Sequence, residues 1–500
     1  MHRITNSVPT GTIGAIPAKA HAHRALIAAA LSTTPSTLRI AHYSKDIDAT
    51  INSLRGLGAQ IEKTATGVTV QPIGHQVSVA PATETETATE TASASTSVPA
   101  SGSTTTSASG TSAQTAPYID AHESGTTLRL LLPVGAAIAS DVHVTAAGRL
   151  PDRPLEPLKS QMEAHGVSFS APKPPFTMSG HLQGGHFELA GHISSQFFSG
   201  LLLAAPYMKS EDIDYSKSAG LVNTVASSDQ ATAVTIESTT PLQSRDYVNL
   251  TIKVMKDFGV TVNTKGDGFS VPLLAQYVGQ TDYAIEGDWS NSAIWLVGAA
   301  LTGQPLTVTC LAADSVQADR RIIDVVRQSG ATVEWVNAVP EKDANHKPKN
   351  NLNATSQHTI ADLLCTGKAT KPLHVDLEQM PDLLPVLAAL ACGIEGKSEF
   401  INGERLRLKE SDRLVAVTNL VNDLGGHAYC VGDNLYIEGT GSLEGGTGDC
   451  CNDHRLVMAG TLMALISRND VQLKDSEAIT KSYPLFFEHW NQLGGNAHEL

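Results

Sequence analysis

The sequence has little cysteine, and none of it lies in a pattern that forms a metal site or a disulfide scaffold. Six cysteines occur among 500 residues, with no C-x-x-C pair and no regular spacing. We therefore expect free, mostly buried thiols in a reducing compartment, and no metal.

Long apolar runs and a positive net charge are also missing. Runs such as 130–139 and 384–394 fall far short of the about 20 residues that a membrane-spanning helix needs, and residues 1–19 lack the apolar core of a signal peptide. The net charge of -15 argues against a general nucleic-acid or acidic-membrane surface. We predict a soluble, cytoplasmic chain in which any anion site is a local concentration of lysine and arginine.

A recurring glycine is the most regular feature that is present. Six times a stretch with apolar residues at helical spacing ends on a glycine and is followed by a strand-like segment. A glycine just past a helix adopts the left-handed conformation that other residues resist, so the repetition predicts one unit used six times. The alternative is coincidence, because such glycines end many helices in any α/β chain. The six are Gly58, Gly166, Gly259, Gly330, Gly425 and Gly494.

Length and composition predict two domains and three interruptions. Five hundred residues exceed what one hydrophobic core usually holds. Residues 79–116 consist mainly of Thr, Ser, Ala, Glu and Pro, so we predict a disordered insertion there. We also predict a smaller polar insert at 341–357 and a mobile loop, rich in Ser, Thr and Asp, at 210–240.

The first candidate site is a pair of cations, Lys19 and Arg24, ahead of a predicted helix over 25–31. Cations at a strand-to-helix junction suit an anion, although by themselves they are also typical of a solvated face. The Gly-Lys-Ser/Thr of a P-loop and the G-x-G-x-x-G of a dinucleotide site are both absent here. His21 and His23 would point to opposite sides of a strand, which disfavours a metal pair.

Two further stretches of the amino-terminal half could hold an anion. Gly125 and Thr126 can present a backbone N–H and a hydroxyl at the start of an apolar helix. Arg149 and Arg153 lie in a turn stiffened by two prolines, which suits a bidentate grip on carboxylate or phosphate. A plain surface turn, with Asp152 as the partner of an arginine, is equally compatible with that pattern.

Neutral hydrogen-bonding side chains form another set, and each could simply cap a helix. Together with the arginines they indicate a pocket for a polyol or sugar phosphate. The set comprises Ser194, Ser195, Gln196, Ser244 and Tyr247.

The carboxyl-terminal half carries the densest charge pattern. Residues 405–413 place four cations and two carboxylates in nine positions directly before an apolar helix, which favours a functional site over a solvated charge run. Asp382 follows a Met-Pro pair, 452–455 read Asn-Asp-His-Arg, and Lys481 begins a Lys-Ser-Tyr-Pro stretch.

Taken in order, these stretches resemble the 5-enolpyruvylshikimate-3-phosphate synthase family over nearly the whole chain outside the inserts. Lys19 and Arg24 fall where that family has its Pro-Gly-Ser-Lys-Ser and Asn-Arg segment, and Gly125 and Arg129 fall in its Asn-x-Gly-Thr...Arg segment. Residues 409–413 and 452–455 match the family nearly letter for letter.

The resemblance implies an α/β fold: a two-domain inside-out α/β barrel with three copies of a βαβαββ unit in each domain. We expect residues 1–17 and 286–500 to form one domain and 18–285 the other. The resemblance also implies a monomer without metal or organic cofactor, whose partners are phosphoenolpyruvate and shikimate 3-phosphate.

The implied reaction moves the enolpyruvyl group of phosphoenolpyruvate to the 5-hydroxyl of shikimate 3-phosphate and releases phosphate. By resemblance, phosphoenolpyruvate is held by Lys19, Gly125, Arg149, Gln196, Arg413, Arg455 and Lys481. The sugar phosphate is held by Lys19, Arg24, Ser194, Ser195, Gln196, Ser244, Tyr247, Asp382 and Lys409. Asp382 is the expected base on the hydroxyl, with Glu410 and Lys19 as further proton-transfer groups.

Three positions depart from the family pattern. Ala20, at a substrate-binding position, replaces a serine, while Glu123 and Arg405 stand where an amide is common. These departures leave open a weakened, non-catalytic paralogue that binds a sugar phosphate. The related transferase that acts on UDP-N-acetylglucosamine is a second alternative, although none of the six cysteines lies in the glycine-rich loop expected of it.

Overall fold

The computed structural model describes residues 1–74, 116–209, 233–337 and 359–500. The predicted insert at 341–357 and all but the last residue of the predicted insertion at 79–116 lie outside these ranges, as does most of the predicted loop at 210–240. No helix of the described residues is long and apolar enough to cross a membrane.

Within the described residues the strands form six four-stranded sheets of one topology. In each sheet two neighbouring strands are parallel, and the second of them pairs antiparallel with the last strand of its unit. In three of the sheets the chain runs through βαβαββ without a break, over residues 118–179, 186–272 and 374–439. Each of the other three sheets completes the same pattern with one strand from a distant part of the chain: 283–284 beside 36–39, 11–14 beside 306–312, and 2–4 beside 471–474. The repeated unit predicted from the six glycines is thereby confirmed.

The elements are short and regularly spaced. The strands are β1 (His2–Ile4), β2 (Gly11–Gly14), β3 (Ser36–Arg39), β4 (Gln60–Lys63), β5 (Val68–Gln71), β6 (Tyr118–Asp120), β7 (Asp141–Thr145), β8 (Ser168–Phe169), β9 (Phe176–Ser179), β10 (His186–Leu189), β11 (Ala233–Ser238), β12 (Asn263–Lys265), β13 (Gly268–Pro272), β14 (Tyr283–Ala284), β15 (Leu306–Ala312), β16 (Thr332–Val336), β17 (Ile360–Thr366), β18 (His374–Asp376), β19 (Gly396–Ile401), β20 (Ala428–Val431), β21 (Asn434–Gly439), β22 (Gly446–Asp449), β23 (Val471–Lys474) and β24 (Ala497–Glu499). The helices are α1 (Lys19–Ala30), α2 (Lys45–Gly56), α3 (Gly125–Ile138), α4 (Leu158–Ala164), α5 (Ser195–Ala204), α6 (Arg245–Asp257), α7 (Trp289–Thr302), α8 (Ile322–Gln328), α9 (Leu384–Cys392), α10 (Arg413–Asp423), α11 (His454–Ala464) and α12 (Phe486–Gln492).

The buried apolar residues form two separate clusters. One contains residues between 4 and 16 and between 289 and 497, and the other contains residues between 22 and 283. We call the sheets of β1, β2 and β15–β24, with their helices, lobe 1, and those of β3–β14, with theirs, lobe 2. The chain crosses between the lobes twice, and the two crossings pair through an antiparallel bridge between Pro17 and Gly287. The exact domain boundaries predicted above stay a prediction.

The first helix of each unit lies inside its lobe, with most of its residues buried. All nine residues of α9 are buried, for example. Close packing of α3 against α5 depends on Gly200, where an added Cβ would lie 2.5 Å from the carbonyl oxygen of Arg129. The second helices, such as α2 and α6, bury one face only.

The six predicted glycine caps follow the second helices. Each has a positive φ, between 85° at Gly425 and 106° at Gly58. In this region a Cβ is strained, so glycine ends the helix at the lowest cost and lets the chain turn into the next strand. The caps are confirmed at all six positions.

Two local predictions are wrong. Residues 233–238 form β11 instead of a mobile loop, because Val234 and Ile236 are buried while the strand pairs with β10 and β13. The polar residues between them reflect the outer face of a strand. Helix α1 begins at Lys19, earlier than 25, because the Asp288 carboxylate of the other crossing accepts its first N–H at 3.0 Å. His21 and His23 therefore lie on this helix and not on a strand.

Candidate active site

A cavity between the lobes lies where helices begin. Its lining includes residues at or just before the first turns of α1, α3 and α5 from lobe 2, and of α7, α9 and α11 from lobe 1. Unpaired N–H groups and the helix dipole make such ends favourable to anions. Six of them directed to one space predict an anion-binding site.

The side chains of the lining reinforce this charge. Eight lysines and arginines line the cavity against four carboxylates. A chain of net charge -15 therefore concentrates positive charge in one cleft. The cations are Lys19, Arg24, Arg129, Arg153, Arg405, Lys409, Arg413 and Arg455, and the carboxylates are Asp46, Asp288, Asp382 and Glu410.

A buried ion-pair network forms the floor contributed by lobe 1. Asp382 Oδ1 lies 2.9 Å from Lys409 Nζ and 2.7 Å from Arg413 Nη1. Arg413 also donates to Glu410 Oε2 at 2.7 Å and to both carboxylate oxygens of Asp453, at 2.8 and 3.1 Å. Each donor group of this guanidinium thus meets a carboxylate, which fixes the orientation of three acidic side chains.

The network controls protonation in the cavity. Burial would raise the pKa of Asp382, but Lys409 and Arg413 outweigh it and hold this pKa well below its usual range. The pKa of Glu410 is likewise held low against burial, chiefly by Arg413. Burial lowers the pKa of Lys409 despite the neighbouring Asp382. Both carboxylates are therefore ionised at neutral pH, and Asp382 can accept a proton.

Lobe 2 contributes neutral donors and acceptors at the starts of α3 and α5. Ser194 caps α5 by accepting from the N–H of Gln196 at 3.3 Å, so the capping role left open above applies. Gln196 in turn accepts from Arg129 Nη1 at 3.0 Å and donates to Thr126 Oγ1 at 2.9 Å. Gly125 leaves room for the arginines, since an added Cβ would lie 2.8 Å from Arg153 Nη1.

Comparison with known proteins decides the family. The family model for EPSP synthase (3-phosphoshikimate 1-carboxyvinyltransferase) matches residues 5–98, 93–227 and 217–490. The chain belongs to the EPSP synthase family. It is 32% identical over 494 residues to the 3-phosphoshikimate 1-carboxyvinyltransferase of Clostridium acetobutylicum, and the match covers 98% of this chain and 96% of the relative. The enzyme of that name from Clostridium kluyveri is 31% identical over 491 residues, with coverage of 98% and 96%.

A solved structure supports the fold. An EPSP synthase from Acinetobacter baumannii superposes with a TM-score of 0.72 at 21% identity, covering 100% of this chain and 99% of that one. The two-domain α/β fold expected from the family resemblance is confirmed.

Most residues predicted from the family motifs line the cavity together. They are Lys19, Ala20, Arg24, Gly125, Ser194, Ser195, Gln196, Ser244, Tyr247, Asp382, Lys409, Glu410, Arg413 and Arg455. The other two predicted residues, Arg149 and Lys481, do not line it.

Arg149 and Lys481 lie to one side of the main cavity. Arg149 borders a smaller adjoining cavity with Glu123 and donates to the carbonyl oxygen of Glu410 at 3.3 Å. Lys481 Nζ lies 2.7 Å from Glu123 Oε2 and donates to the carbonyl oxygen of Asn452 at 2.7 Å. Both cations therefore meet groups of the protein.

Arg24 lines the cavity and ties three helices together. It donates to Thr251 at 2.7 Å, to Ser199 at 3.3 Å, and to the carbonyl oxygens of Ala20 and Tyr247 at 2.7 and 3.1 Å. Burial lowers the pKa of Arg24 to about 10. Most of its N–H donors therefore meet protein groups, which leaves few of them for a bound anion.

Side chains also meet across the cleft. Arg405 Nη1 of lobe 1 donates to Ser244 Oγ of lobe 2 at 2.7 Å, and Arg153 Nε of lobe 2 donates to the carbonyl oxygen of Leu408 at 3.0 Å. Tyr247 OH lies 3.5 Å from Asp319 Oδ2, which also accepts from Ser290 Oγ. These contacts bring side chains of the two lobes within hydrogen-bonding reach of each other across the cavity.

Sequence reasoning missed Asp288 and Asp319. It did include Arg129, the arginine of the family's Asn-x-Gly-Thr...Arg segment, which lines the cavity one helical turn after Gly125. Asp288 caps α7 and also accepts the first N–H of α1, which belongs to the other crossing. The residues around Asp288 in the sequence do not indicate this second contact. Asp319 is buried behind Tyr247 and has no motif around it.

Proposed function

We propose that this protein transfers the enolpyruvyl group of phosphoenolpyruvate to the 5-hydroxyl of shikimate 3-phosphate and releases phosphate, in aromatic amino acid biosynthesis. The observation that carries the proposal is the convergence of eight cationic side chains and six helix N-termini on one interlobe cavity. Each substrate bears a carboxylate and a phosphate, so their joint binding needs this density of positive charge. Membership of the EPSP synthase family supports the choice of substrates.

The two substrates are assigned to neighbouring parts of the cavity, and the phosphoenolpyruvate part is extended to Arg149 and Lys481 at its side. Phosphoenolpyruvate is held by Lys19, Gly125, Arg149, Gln196, Arg413, Arg455 and Lys481. Shikimate 3-phosphate is held by Lys19, Ala20, Arg24, Ser194, Ser195, Gln196, Ser244, Tyr247, Asp382 and Lys409. At Ala20 a methyl group stands in place of the family's serine hydroxyl.

Asp382 is the base in this proposal. Its carboxylate takes the proton of the sugar 5-hydroxyl as the oxygen attacks C2 of phosphoenolpyruvate. C3 receives a proton from Lys19, or from Glu410 once the bound substrate anions have raised the pKa of Glu410 and it is protonated. The tetrahedral adduct then loses phosphate as a proton returns from the methyl group to the protein. The reaction balances when Asp382 passes the hydroxyl proton to the departing phosphate and the methyl proton restores the group that protonated C3.

The low pKa of Asp382 fits this role once the substrates are considered. Lys409 and Arg413 hold its pKa low, and an ionised carboxylate of low pKa is a weak base. Two anionic substrates offset the charge of these cations, so their binding raises the pKa of Asp382. The carboxylate therefore becomes more basic when the hydroxyl is present.

Both lobes contribute to both substrate sets, so chemistry requires them to close on each other. Arg153, Arg405 and Tyr247 already bridge or approach the opposite lobe. Closure would exclude water and fix the attacking oxygen near C2. The proposal further includes a cytoplasmic monomer without metal, organic cofactor, nucleic-acid or membrane partner.

Phosphate release from phosphoenolpyruvate tests the proposal. Purified protein is incubated with shikimate 3-phosphate or, separately, with UDP-N-acetylglucosamine. The proposal predicts release only with shikimate 3-phosphate. Release only with the nucleotide sugar would support the related transferase, and release with neither would support a non-catalytic paralogue.

A further inference from the structure

Glu123 neutralises a lysine that the proposed reaction needs. Lys481 Nζ lies 2.7 Å from Glu123 Oε2, and its side chain is only 9% exposed. Asn452 Nδ2 donates to the same carboxylate oxygen at 3.1 Å, and Asn452 O accepts from Lys481 at 2.7 Å. Glu123 belongs to lobe 2 while Lys481 and Asn452 belong to lobe 1, so the contact crosses the cleft.

The fold makes specific room for this carboxylate. Gly148, with φ of +58°, lies directly against Glu123, and a Cβ at that position would be 2.8 Å from Glu123 Oε2 and 3.1 Å from its Cγ. Any other residue at 148 would displace the glutamate side chain. Glu123 also lines the small cavity that Arg149 and Arg153 border, next to the main one.

Charge and donor number decide what the contact does. An ammonium group has three N–H donors, and here two of them meet Glu123 and Asn452. A substrate anion that approaches Lys481 finds at most one free donor and a carboxylate of the same sign as itself. The anion must share Lys481 with Glu123 or displace it.

We propose that Glu123 sets the affinity for phosphoenolpyruvate by competing with that anion for Lys481. The inference rests on the proposed function, which places phosphoenolpyruvate at Lys481. Competition and a purely structural bridge predict opposite changes in substrate affinity when Glu123 is removed. Removal of a competitor tightens binding of one substrate, whereas removal of an interlobe bridge loosens the closed cleft and weakens both.

The test is the variant Glu123→Gln, which keeps the side-chain shape and removes the charge. We expect KM for phosphoenolpyruvate to fall roughly two- to fivefold, the upper range of a partly exposed ion pair, while KM for shikimate 3-phosphate stays within about 1.5-fold. Glu163→Gln is the matched control, because Glu163 also pairs with a lysine, Lys159, at 2.6 Å in lobe 2. It should change neither constant.

A double-mutant cycle isolates the pair. In a Lys481→Met background, Glu123→Gln should no longer lower KM for phosphoenolpyruvate, because nothing is left to compete for. An unchanged or raised KM in the single variant, or an undiminished fall in the Met background, would overturn the inference. Glu123→Asn is the second variant if the glutamine protein folds poorly, as judged by circular dichroism. Wild-type protein without turnover would refute the proposed function instead, so the two failures are distinguishable.

Discussion

Replacement of Arg413 by glutamine should destabilise lobe 1 far more than replacement of a neighbouring arginine. Arg413 is 1% exposed and donates to Asp382, Glu410 and Asp453 at distances from 2.7 to 3.1 Å. Burial would lower the pKa of Arg413, but the three carboxylates outweigh burial and raise it, so the guanidinium stays charged. Glutamine at this position removes the positive charge that the three carboxylates share.

The magnitude follows from that geometry. Removal of one partner from a buried ion pair costs about 3–5 kcal/mol, since the remaining charge stays desolvated. Lys409 still meets Asp382, and Ser411 still donates to Asp453 at 3.0 Å, so part of the network survives. We therefore expect a loss of about 3 kcal/mol in the free energy of unfolding.

Arg407→Gln is the matched control from the same segment. Arg407 meets two carboxylates, at 2.8 Å on Asp433 and 3.1 Å on Asp412, but its side chain is 34% exposed. Water can solvate the groups it leaves, and the expected cost is below about 1 kcal/mol.

Tryptophan fluorescence during urea denaturation measures both variants. All four tryptophans, at 289, 295, 335 and 490, belong to lobe 1, so the signal reports on the lobe that contains both arginines. Equal losses in the two variants, or a loss below about 1 kcal/mol for Arg413→Gln, would refute the argument that burial decides the cost.

Three other predictions concern the base, a buried acid and a helix cap. Asp382→Asn should lower kcat by about 10²–10⁴ while calorimetry still detects substrate binding, and retained turnover would remove Asp382 as the base. Burial is the main cause that raises the pKa of Asp319 to about 7, and the negative charge of Asp382 is the second. The folded protein therefore keeps a proton that the unfolded chain loses from about pH 4, so wild-type stability should fall relative to Asp319→Asn as pH rises to about 7. A constant difference across that range, by urea denaturation, would contradict the assignment. Gly259→Ala should lower the free energy of unfolding by about 1–2 kcal/mol, because φ at this position is +91°. Gly14→Ala is the control and should cost under about 0.5 kcal/mol, since Gly14 has no positive φ and the nearest atom to an added Cβ is 3.8 Å away. Equal circular-dichroism denaturation curves for the two variants would refute the cap argument.

The parts of the fold that the sequence predicted well depend on local conformation. A glycine such as Gly494 takes its positive φ from the steric freedom of its own backbone, so its role is visible without the rest of the chain. The same holds for the apolar residues of α10, whose spacing already places them on one face. Repetition of such local signs was enough to predict the repeated unit.

The parts that were missed depend on contacts between distant residues. The start of α1 is set by Asp288, 269 positions away, and the partner of Lys481 is Glu123, 358 positions away. Nothing in the residues around either contact indicates the other partner. Family motifs predicted which side chains share the cavity, but not that protein groups take most donors of Arg24.

The most direct test of the proposed chemistry is the product formed in D₂O from phosphoenolpyruvate and shikimate 3-phosphate. Addition followed by elimination predicts one phosphate per enolpyruvyl ether at the 5-oxygen, with deuterium in its methylene group, seen by proton NMR and mass spectrometry. Pyruvate and phosphate without the ether, or an ether whose methylene carries no deuterium, would contradict the account.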